Sequence, residues 1–237
     1  MSKVLVIPDT HLKPKMFDLA DKIMRENEVD YVIQLGDNVD DFYCYAEEYC
    51  AYETRAIKFY HDHPEMVWLW GNHEIAYLSG QSVTGNTIWG ERFAKGYERN
   101  FNPKFVHLDG KVIFSHAGVF QEFINGNNLN SCTTDEELIK RINRLDMPAF
   151  WSDDSPVWAR PQYSRLTSPT VLNNYLQIVG HTPVKDIVEE NGVVSVDTFS
   201  TDWGKKIGIE KMIIVDTEEP SFKIVNIDYR EEFGEKR

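Results

Sequence analysis

The sequence of 237 residues contains few cysteines, and none of them are paired at a metal-binding spacing. Cys44, Cys50 and Cys132 form no C-x-x-C motif, which argues against a structural zinc site with thiolate ligands. Three scattered cysteines also argue against a disulfide framework and indicate reduced thiols. We therefore expect a protein of the reducing cytoplasm.

Long apolar segments are also missing from the sequence. The first apolar run, residues 4–7, is too short for the core of a signal peptide. No run approaches the ~20 apolar residues that a membrane span requires. Linkers, internal repeats and low-complexity segments are missing as well. We expect a soluble protein with no membrane partner, built as a single domain over residues 1–237 with a charged tail from about residue 229.

Positive charge is in deficit, with 25 lysines and arginines against 38 aspartates and glutamates and a net charge of −13. This balance argues against long nucleic acids as partners, because backbone binding needs clustered basic residues. A hydrophobic content of 42% with 13% aromatics argues against disorder. An acidic protein can still bind a phosphorylated substrate when bound cations supply positive charge locally. The sequence leaves the oligomeric state open.

What the sequence does contain is a recurring order, in which a short apolar run ends and polar residues follow at once. Continuous apolar runs of this length are typical of strands that are buried on both faces. The five runs and the residues that follow them are KVLVI before Asp9 and His11, DYVIQL before Asp37 and Asp40, MVWLW before Asn72 and His73, KVIFS before His116, and LQIV before His181.

Helical segments over residues 16–27 and 42–62 separate the first three runs, which predicts a βαβαβ core with a parallel sheet. Ligands of such sheets bind beyond the carboxyl ends of the strands, where the polar residues above would lie. The later runs are spaced like the strands of a meander. Residues 119–170 interrupt them with one helix, whose capping box is Thr134 and Glu137. The predicted fold class is α/β.

Carboxylates, imidazoles and an amide oxygen together suit borderline divalent metals such as Mn, Fe, Co or Zn. The sequence offers eight such groups at the strand ends, which is too many for one ion and about right for two. We therefore expect a two-metal site at the carboxyl edge of the sheet.

The five polar motifs, in this order, resemble the calcineurin-like metallophosphoesterase superfamily. They are D-T-H at 9–11, G-D-N-V-D at 36–40, G-N-H-E at 71–74, S-H-A-G at 115–118 and G-H-T-P at 180–183. The G-N-H-E and G-H-T-P forms are similar to the serine/threonine phosphoprotein phosphatase branch, including its small bacterial and phage-type members. The resemblance implies a layered sandwich in which central β-sheets are flanked by helices.

The same resemblance implies a ligand set for two divalent ions, with Mn expected and Fe, Zn, Co or Ni as alternatives. The six ligands would be Asp9 and His11 for the first ion, Asp37 between both ions, and Asn72, His116 and His181 for the second. A hydroxide between the ions would attack a phosphate monoester directly. His73 would protonate the leaving oxygen, and Asp40 would orient His73.

Two further positions bear on the substrate. Arg160 in V-W-A-R-P matches an arginine that grips substrate phosphate in this branch, although a motif this short also fits a plain surface arginine. Members of the branch usually have arginine directly after the orienting aspartate, where this sequence has Asp41. Either Asp41 faces away from the phosphate or the substrate differs. A phosphodiesterase or dinucleoside polyphosphate hydrolase is therefore the alternative function.

Simpler interpretations stay open for some of these residues. Asp40 could cap the helix that follows it. Asp197 could belong to a loop beside the site, as the resemblance implies, or could be an ordinary polar residue of a loop. His61, His63 and His107 lie outside the motifs, and we interpret them as ordinary polar residues. A metal-bound interaction module without catalysis would be expected to lack a ligand or the acid. Since neither is missing, the sequence favours an enzyme.

Overall fold

The computed structural model describes residues 2–42, 44–163 and 165–226. Its strands are β1 (Lys3–Ile7), β2 (Tyr31–Gln34), β3 (Val67–Trp68), β4 (Val106–Asp109), β5 (Val112–Ser115), β6 (Leu176–Val179), β7 (Val188–Glu190), β8 (Val193–Ser195), β9 (Thr201–Asp202), β10 (Lys205–Lys206), β11 (Lys211–Asp216) and β12 (Ser221–Asn226). The α-helices are α1 (Lys15–Glu26), α2 (Ala46–Asp62), α3 (Asn72–Leu78), α4 (Gly90–Phe101), α5 (Gln121–Gly126) and α6 (Asp135–Ile142), and Met147–Phe150 forms a 3₁₀ helix. The charged tail expected from about residue 229 lies outside the described residues.

The first sheet has the strand order β12-β11-β1-β2-β3. Strands β1, β2 and β3 are parallel and are connected through α1 and α2, which confirms the predicted βαβαβ core. The β11–β12 hairpin pairs antiparallel with the free edge of β1, with Leu5 opposite Ile214. Strands β11 and β12 therefore complete the sheet that β1 begins.

The second sheet has the order β4-β5-β6-β8-β7. Strands β4 and β5 form a hairpin, as do β7 and β8, but β5, β6 and β8 run parallel to one another. The expected meander was therefore wrong at the centre of this sheet. Residues 116–175 separate β5 from β6 and contain α5 and α6, so the connection is long enough for a parallel crossover.

The two sheets pack face to face because successive side chains of each strand point to opposite faces. Val4 and Val6 of β1 share an apolar cluster with Val112 and Phe114 of β5, so this cluster lies between the sheets. The intervening Leu5 and its counterparts pack with the helices in a larger cluster. The resulting layers confirm the predicted α/β sandwich of central sheets flanked by helices.

The helices differ from the prediction mainly in number and in their first residues. Helix α2 begins at Ala46 and not at residue 42, and α3, α4 and α5 were not predicted. Helix α6 begins as expected, since the Thr134 hydroxyl accepts a hydrogen bond from the Glu137 N–H at 3.2 Å. Among the described residues, no helix combines the length and apolar character needed to cross a membrane.

Candidate metal centre

The predicted metal ligands converge where the parallel strands of the two sheets end. Two groups, Asp9/His11/Asp37 and Asp37/His116/His181, each place their ligand atoms within 4.8 Å of one another. Asp37, in the loop that follows β2, belongs to both groups. The structure thus places one carboxylate between two sets of ligands.

Asn72 lies with the second group as the first residue of α3. Its side-chain Oδ1 atom is 2.9 Å from His116 Nε2 and 2.9 Å from His181 Nδ1. His116 Nε2 is also 3.3 Å from Asp37 Oδ2. An amide oxygen, two imidazole nitrogens and a carboxylate oxygen therefore surround one point.

Main-chain carbonyls orient two of the imidazole rings. The Nδ1 atom of His116 lies 2.9 Å from the carbonyl oxygen of Leu35, and the Nδ1 atom of His11 lies 2.8 Å from the carbonyl oxygen of Asp40. These contacts fix the ring orientations and direct each Nε2 atom to the centre. This is the usual outer-shell arrangement of metal-binding histidines.

Several buried polar atoms at the centre have no hydrogen-bond partner among the described protein groups. They include Oδ1 of Asp9 and Oδ2 of Asp197. Leaving a buried acceptor unsatisfied costs about 1–3 kcal/mol, so such atoms normally have a ligand or other partner. Because the donor set also matches the preferences of divalent metals, these residues fit a pair of divalent ions.

The carboxylates of the centre influence one another strongly. Burial favours the neutral acid of Asp37, but His116, His73 and His11 together hold its pKa well below the usual range. Burial raises the pKa of Asp9, and the charges of Asp197 and Asp37 raise it further. Closely spaced, buried carboxylates create a negative potential that cations would relieve.

Burial lowers the pKa of both His11 and His181. A histidine with a lowered pKa is neutral near pH 7, and the neutral imidazole is the form that binds metals. The environment therefore keeps both imidazole rings in the neutral form that can bind a metal ion.

His73 and Asp40 form a separate pair beside the ligands. His73 Nδ1 is 3.3 Å from Asp40 Oδ2, and the His73 Nε2 atom faces Asp37 at 3.9 Å. Although burial opposes the charged imidazole, Asp37 and Asp40 raise the pKa of His73 to about 9. The other oxygen of Asp40 accepts hydrogen bonds from the hydroxyls of Tyr49 at 2.6 Å and Tyr77 at 2.7 Å.

Asp40 does not cap helix α2, because the N-cap residue of that helix is Tyr45. The alternative interpretation of Asp40 is therefore wrong. Its buried side chain instead contacts one histidine and two phenols.

Glu74 and Gln34 are buried residues of the site whose positions the sequence analysis missed. The Glu74 carboxylate accepts N–H groups from four residues of the two loops that carry Asp37 and Asn72, at 2.6–3.1 Å: Asp37, Asn38, Val39 and Gly71. Gln34 exchanges two hydrogen bonds with the backbone of Gly36. The only sequence signal for Glu74 was its place in the G-N-H-E motif.

The backbone of the centre is strained at four non-glycine residues. His11, Asp37, Asp40 and His181 have φ angles of +40°, +50°, +67° and +63°. The left-handed region costs roughly 1–2 kcal/mol for such residues and persists only where the surroundings impose it. Gly71 and Gly180 permit the close packing, since a Cβ atom would overlap Asp37 at the first position and Asp9 at the second.

Arg160 and Asp197 also lie at the centre. Arg160 donates from Nη1 to the Thr182 hydroxyl at 3.2 Å, and its charge adds to burial and His116 in lowering the pKa of His181. Asp197 is buried and accepts the Ser200 N–H at 3.1 Å. Asp197 is thus a buried neighbour of Asp9 and not a surface polar residue of a loop.

Asp41 lies at the edge of the centre in a network of its own. Its side chain contacts Lys13 at 3.3 Å and the Thr201 hydroxyl at 3.3 Å. The carboxylate that stands where the resemblance leads us to expect arginine is therefore already engaged by groups of the protein.

Comparison with known proteins identifies one family over most of the chain. Residues 2–206 match the family described as calcineurin-like phosphoesterase. No curated protein matches the sequence.

Solved structures of similar fold include a cold-active protein tyrosine phosphatase, with 16% identity and a TM-score of 0.62 over 94% of this chain and 78% of that one. The cold-active protein tyrosine phosphatase of a psychrophilic Shewanella species has 15% identity and a TM-score of 0.61 over 95% and 81%. An archaeal phosphodiesterase has 15% identity and a TM-score of 0.43 over 95% and 99%. At such identities, the two cold-active enzymes share the fold with this chain.

Proposed function

Because the chain belongs to the calcineurin-like phosphoesterase family, and is by that membership a phosphoester hydrolase, we propose that it is a two-metal phosphomonoesterase. Its substrates in this proposal are serine or threonine phosphate esters of proteins, or similar small monoesters. The observation that carries the proposal is the position of Asp37, whose ligand atom lies within 4.8 Å of two different ligand pairs.

Six side chains would hold the ions in this proposal. Asp9 and His11 would hold one ion, Asn72, His116 and His181 would hold the other, and Asp37 would contribute to both. Two divalent cations, proposed to be manganese, would supply positive charge to the phosphate oxygens and lower the pKa of water.

His73 would deliver a proton to the leaving oxygen. One ring nitrogen is held by Asp40 at 3.3 Å, and the other faces the shared carboxylate of Asp37. A proton donor of this kind needs its second nitrogen fixed by an acceptor, and Asp40 supplies that acceptor.

Arg160 would bind the phosphate of the substrate. The guanidinium is half-buried next to His181 and is held by the Thr182 hydroxyl. The planar guanidinium group can donate hydrogen bonds to two phosphate oxygens at once. In this role Arg160 orients the ester above the second group of ligands.

The test compares hydrolysis of p-nitrophenyl phosphate by metal-free protein, by protein reconstituted with Mn²⁺, and by two variants. We expect activity only with metal, a loss of more than 100-fold for Asp37→Asn, and a smaller loss for His73→Asn that grows for substrates with poorer leaving groups. His61→Asn, which changes an exposed histidine, is the matched control. Full activity in Asp37→Asn, or activity without any metal, would contradict the proposal.

The same assay addresses the alternative substrates. Asp41 occupies a position where a second arginine would favour a phosphoprotein substrate. Because an aspartate stands there, diesters and dinucleoside polyphosphates remain the alternative substrates. Rates on a monoester, a diester and a dinucleoside tetraphosphate separate the activities. The monoesterase proposal requires the highest kcat/KM on the monoester.

The proposal places the protein in the cytoplasm. The three cysteines are free thiols in the structure, which is the usual state in a reducing compartment. Cell fractionation followed by immunoblotting tests this location, and recovery in a membrane or secreted fraction would contradict it.

A further inference from the structure

Lys13 lies at the edge of the centre and is held there by an unusual turn. His11 and Leu12 both have left-handed φ angles, of +40° and +58°. The backbone N–H groups of His11 and Leu12 donate to the carbonyls of Asp37 and Asn38 at 2.9 and 3.1 Å. Lys13 is therefore anchored two residues beyond a predicted metal ligand, on backbone that has little freedom to move.

Asp41 holds the ammonium group of Lys13. The distance from Lys13 Nζ to Asp41 Oδ2 is 3.3 Å, and both side chains are only 22% exposed. The other oxygen of Asp41 accepts the Phe42 N–H at 2.8 Å and the Thr201 hydroxyl at 3.3 Å. Both carboxylate oxygens are thus engaged, so Asp41 fixes a lysine side chain that would otherwise have many rotamers.

Lys13 and its partner Asp41 lie beside the first group of ligands. Lys13 follows the predicted ligand His11 by two residues. Asp41 directly follows Asp40, whose carbonyl oxygen lies 2.8 Å from His11 Nδ1. The ion pair of Lys13 and Asp41 therefore borders the group that contains His11.

Lys13 and Arg160 flank different sides of the centre. Lys13 lies two residues after His11, which belongs to the group with Asp9, whereas Arg160 donates to the hydroxyl of Thr182, the residue after His181 in the group with His116. A phosphate bound above Asp37 would have one cationic side chain on each side. An ammonium group has three N–H donors, and the contact with Asp41 uses one of them.

We propose that Lys13 is a second phosphate-binding residue and that it selects doubly charged phosphate monoesters over singly charged diesters. Asp41 is its positioning residue. The proposal rests on the proposed function, since it concerns the substrate of the same site. A lysine interacts with phosphate as a point charge, without the planar two-donor geometry of arginine. Its binding energy therefore depends more on the extra negative charge of a monoester than on the orientation of the phosphate oxygens.

The experiment measures kcat and KM of the Mn²⁺-loaded protein on p-nitrophenyl phosphate and on bis-p-nitrophenyl phosphate. For Lys13→Met we expect KM for the monoester to rise about tenfold, as for the loss of a hydrogen bond to a charged group at a partly exposed site. KM for the diester should change less than twofold. Lys13→Arg should keep most of the preference, and Lys58→Met, on the exposed face of α2, is the matched control for the lost charge.

A double-mutant cycle tests the role of Asp41. Asp41→Asn alone should reduce the preference for the monoester by roughly threefold, but it should have no further effect in the Lys13→Met background, because neighbouring residues that act together are not additive. A full additional loss in the double variant would show that Asp41 acts independently of Lys13 and would overturn its positioning role.

A binding measurement separates this inference from the proposed function. Calorimetric titration of inorganic phosphate into the Mn²⁺-loaded protein should give a Kd about tenfold higher for Lys13→Met than for the wild type, with unchanged metal content and circular dichroism. An unchanged phosphate Kd, or equal losses on monoester and diester, would overturn the role of Lys13. Wild-type protein that binds phosphate with this dependence on Lys13 but hydrolyses neither ester would overturn only the proposed function. Lys13→Gln provides a second neutral variant if Lys13→Met does not fold.

Discussion

The two sheets bring different chemistry to the same centre. The first sheet ends in the carboxylates of Asp9 and Asp37 and the amide of Asn72, whereas the second sheet ends in the imidazoles of His116 and His181. The proposed oxygen ligands thus come mainly from one layer and the proposed nitrogen ligands mainly from the other. Neither sheet alone carries the proposed ligand set, so the centre depends on how the two sheets pack.

The opposite ends of the two sheets provide a useful contrast. There the Tyr31 hydroxyl, from the first residue of β2, donates to Asp109 of β4 at 2.8 Å and lies 3.3 Å from His107 Nε2. Carboxylate, phenol and imidazole again meet between the sheets, but the described residues there form no candidate metal group. Among the described residues, polar groups between the sheets form candidate metal groups at the carboxyl ends of the parallel strands but not at this opposite end.

The largest effect on activity is expected for single substitutions that remove a proposed metal ligand from either sheet. Asp9→Asn and His116→Gln should each reduce activity more than 100-fold, because even outer-shell changes at metal sites cost about 10–100-fold. Metal analysis of the dialysed proteins should show one ion lost in each case. Retention of two ions by either variant would contradict the assignment of that ligand.

Glu74→Gln is expected to have the next largest effect. The carboxylate accepts four backbone N–H groups from the loops that carry Asp37 and Asn72, and an amide side chain would turn an N–H group toward these donors. We expect a loss of about 10–100-fold in metal affinity or activity. Glu53→Gln, on α2, is a control, and equal metal affinity in both variants would contradict the positioning role of Glu74.

Tyr77→Phe should have a smaller effect on activity, exerted through the proton donor. It removes one of the two phenolic hydrogen bonds to Asp40, and one hydrogen bond contributes about 0.5–1.5 kcal/mol. The Tyr77 hydroxyl also accepts the Thr87 N–H at 2.6 Å, and the loss of that contact bears on stability and not on the leaving group. We expect kcat to fall roughly 2–10-fold for alkyl phosphates and less for p-nitrophenyl phosphate, whose leaving group needs little help. Tyr45→Phe, at an exposed residue, should leave both rates unchanged, and equal losses on both substrates would contradict this role.

The smallest effect on activity is expected for His107→Gln at the opposite end of the sheets. Burial is the main cause that lowers the pKa of His107 to about 4. The positive charge of Lys104 also lowers this pKa, whereas the negative charge of Asp109 raises it. The folded protein therefore binds fewer protons than the unfolded chain between pH 6.5 and 4, so stability falls as the pH falls through this range.

We expect this histidine to account for on the order of 3 kcal/mol of the loss in unfolding free energy across that range. His107→Gln should flatten the pH dependence measured by urea denaturation and should leave kcat/KM at pH 7 within twofold. A variant with the same slope as the wild type would contradict the lowered pKa.

The strand ends could be predicted from the sequence because each apolar run stops at a polar motif. The sequence therefore predicts site residues such as Asp37 and His181, and the structure brings them together. The left-handed backbone at Asp40 and the four contacts of Glu74 could not be found, since tertiary packing imposes them and no local pattern encodes them. The parallel order of β5, β6 and β8 was missed for a similar reason, because spacing along the chain does not distinguish a hairpin from a long crossover.

The hydrogen bond from the His181 N–H to Asp9 Oδ2, at 2.9 Å, joins residues that lie 172 positions apart. During synthesis, this contact cannot form until residue 181 has left the ribosome. The edge of β1 stays open for longer still, since its partner β11 begins only at Lys211. A nascent chain that stops before β11 therefore lacks the strand that covers the edge of β1, and the ability to retain two ions would indicate a chain that has folded through β11 and β12.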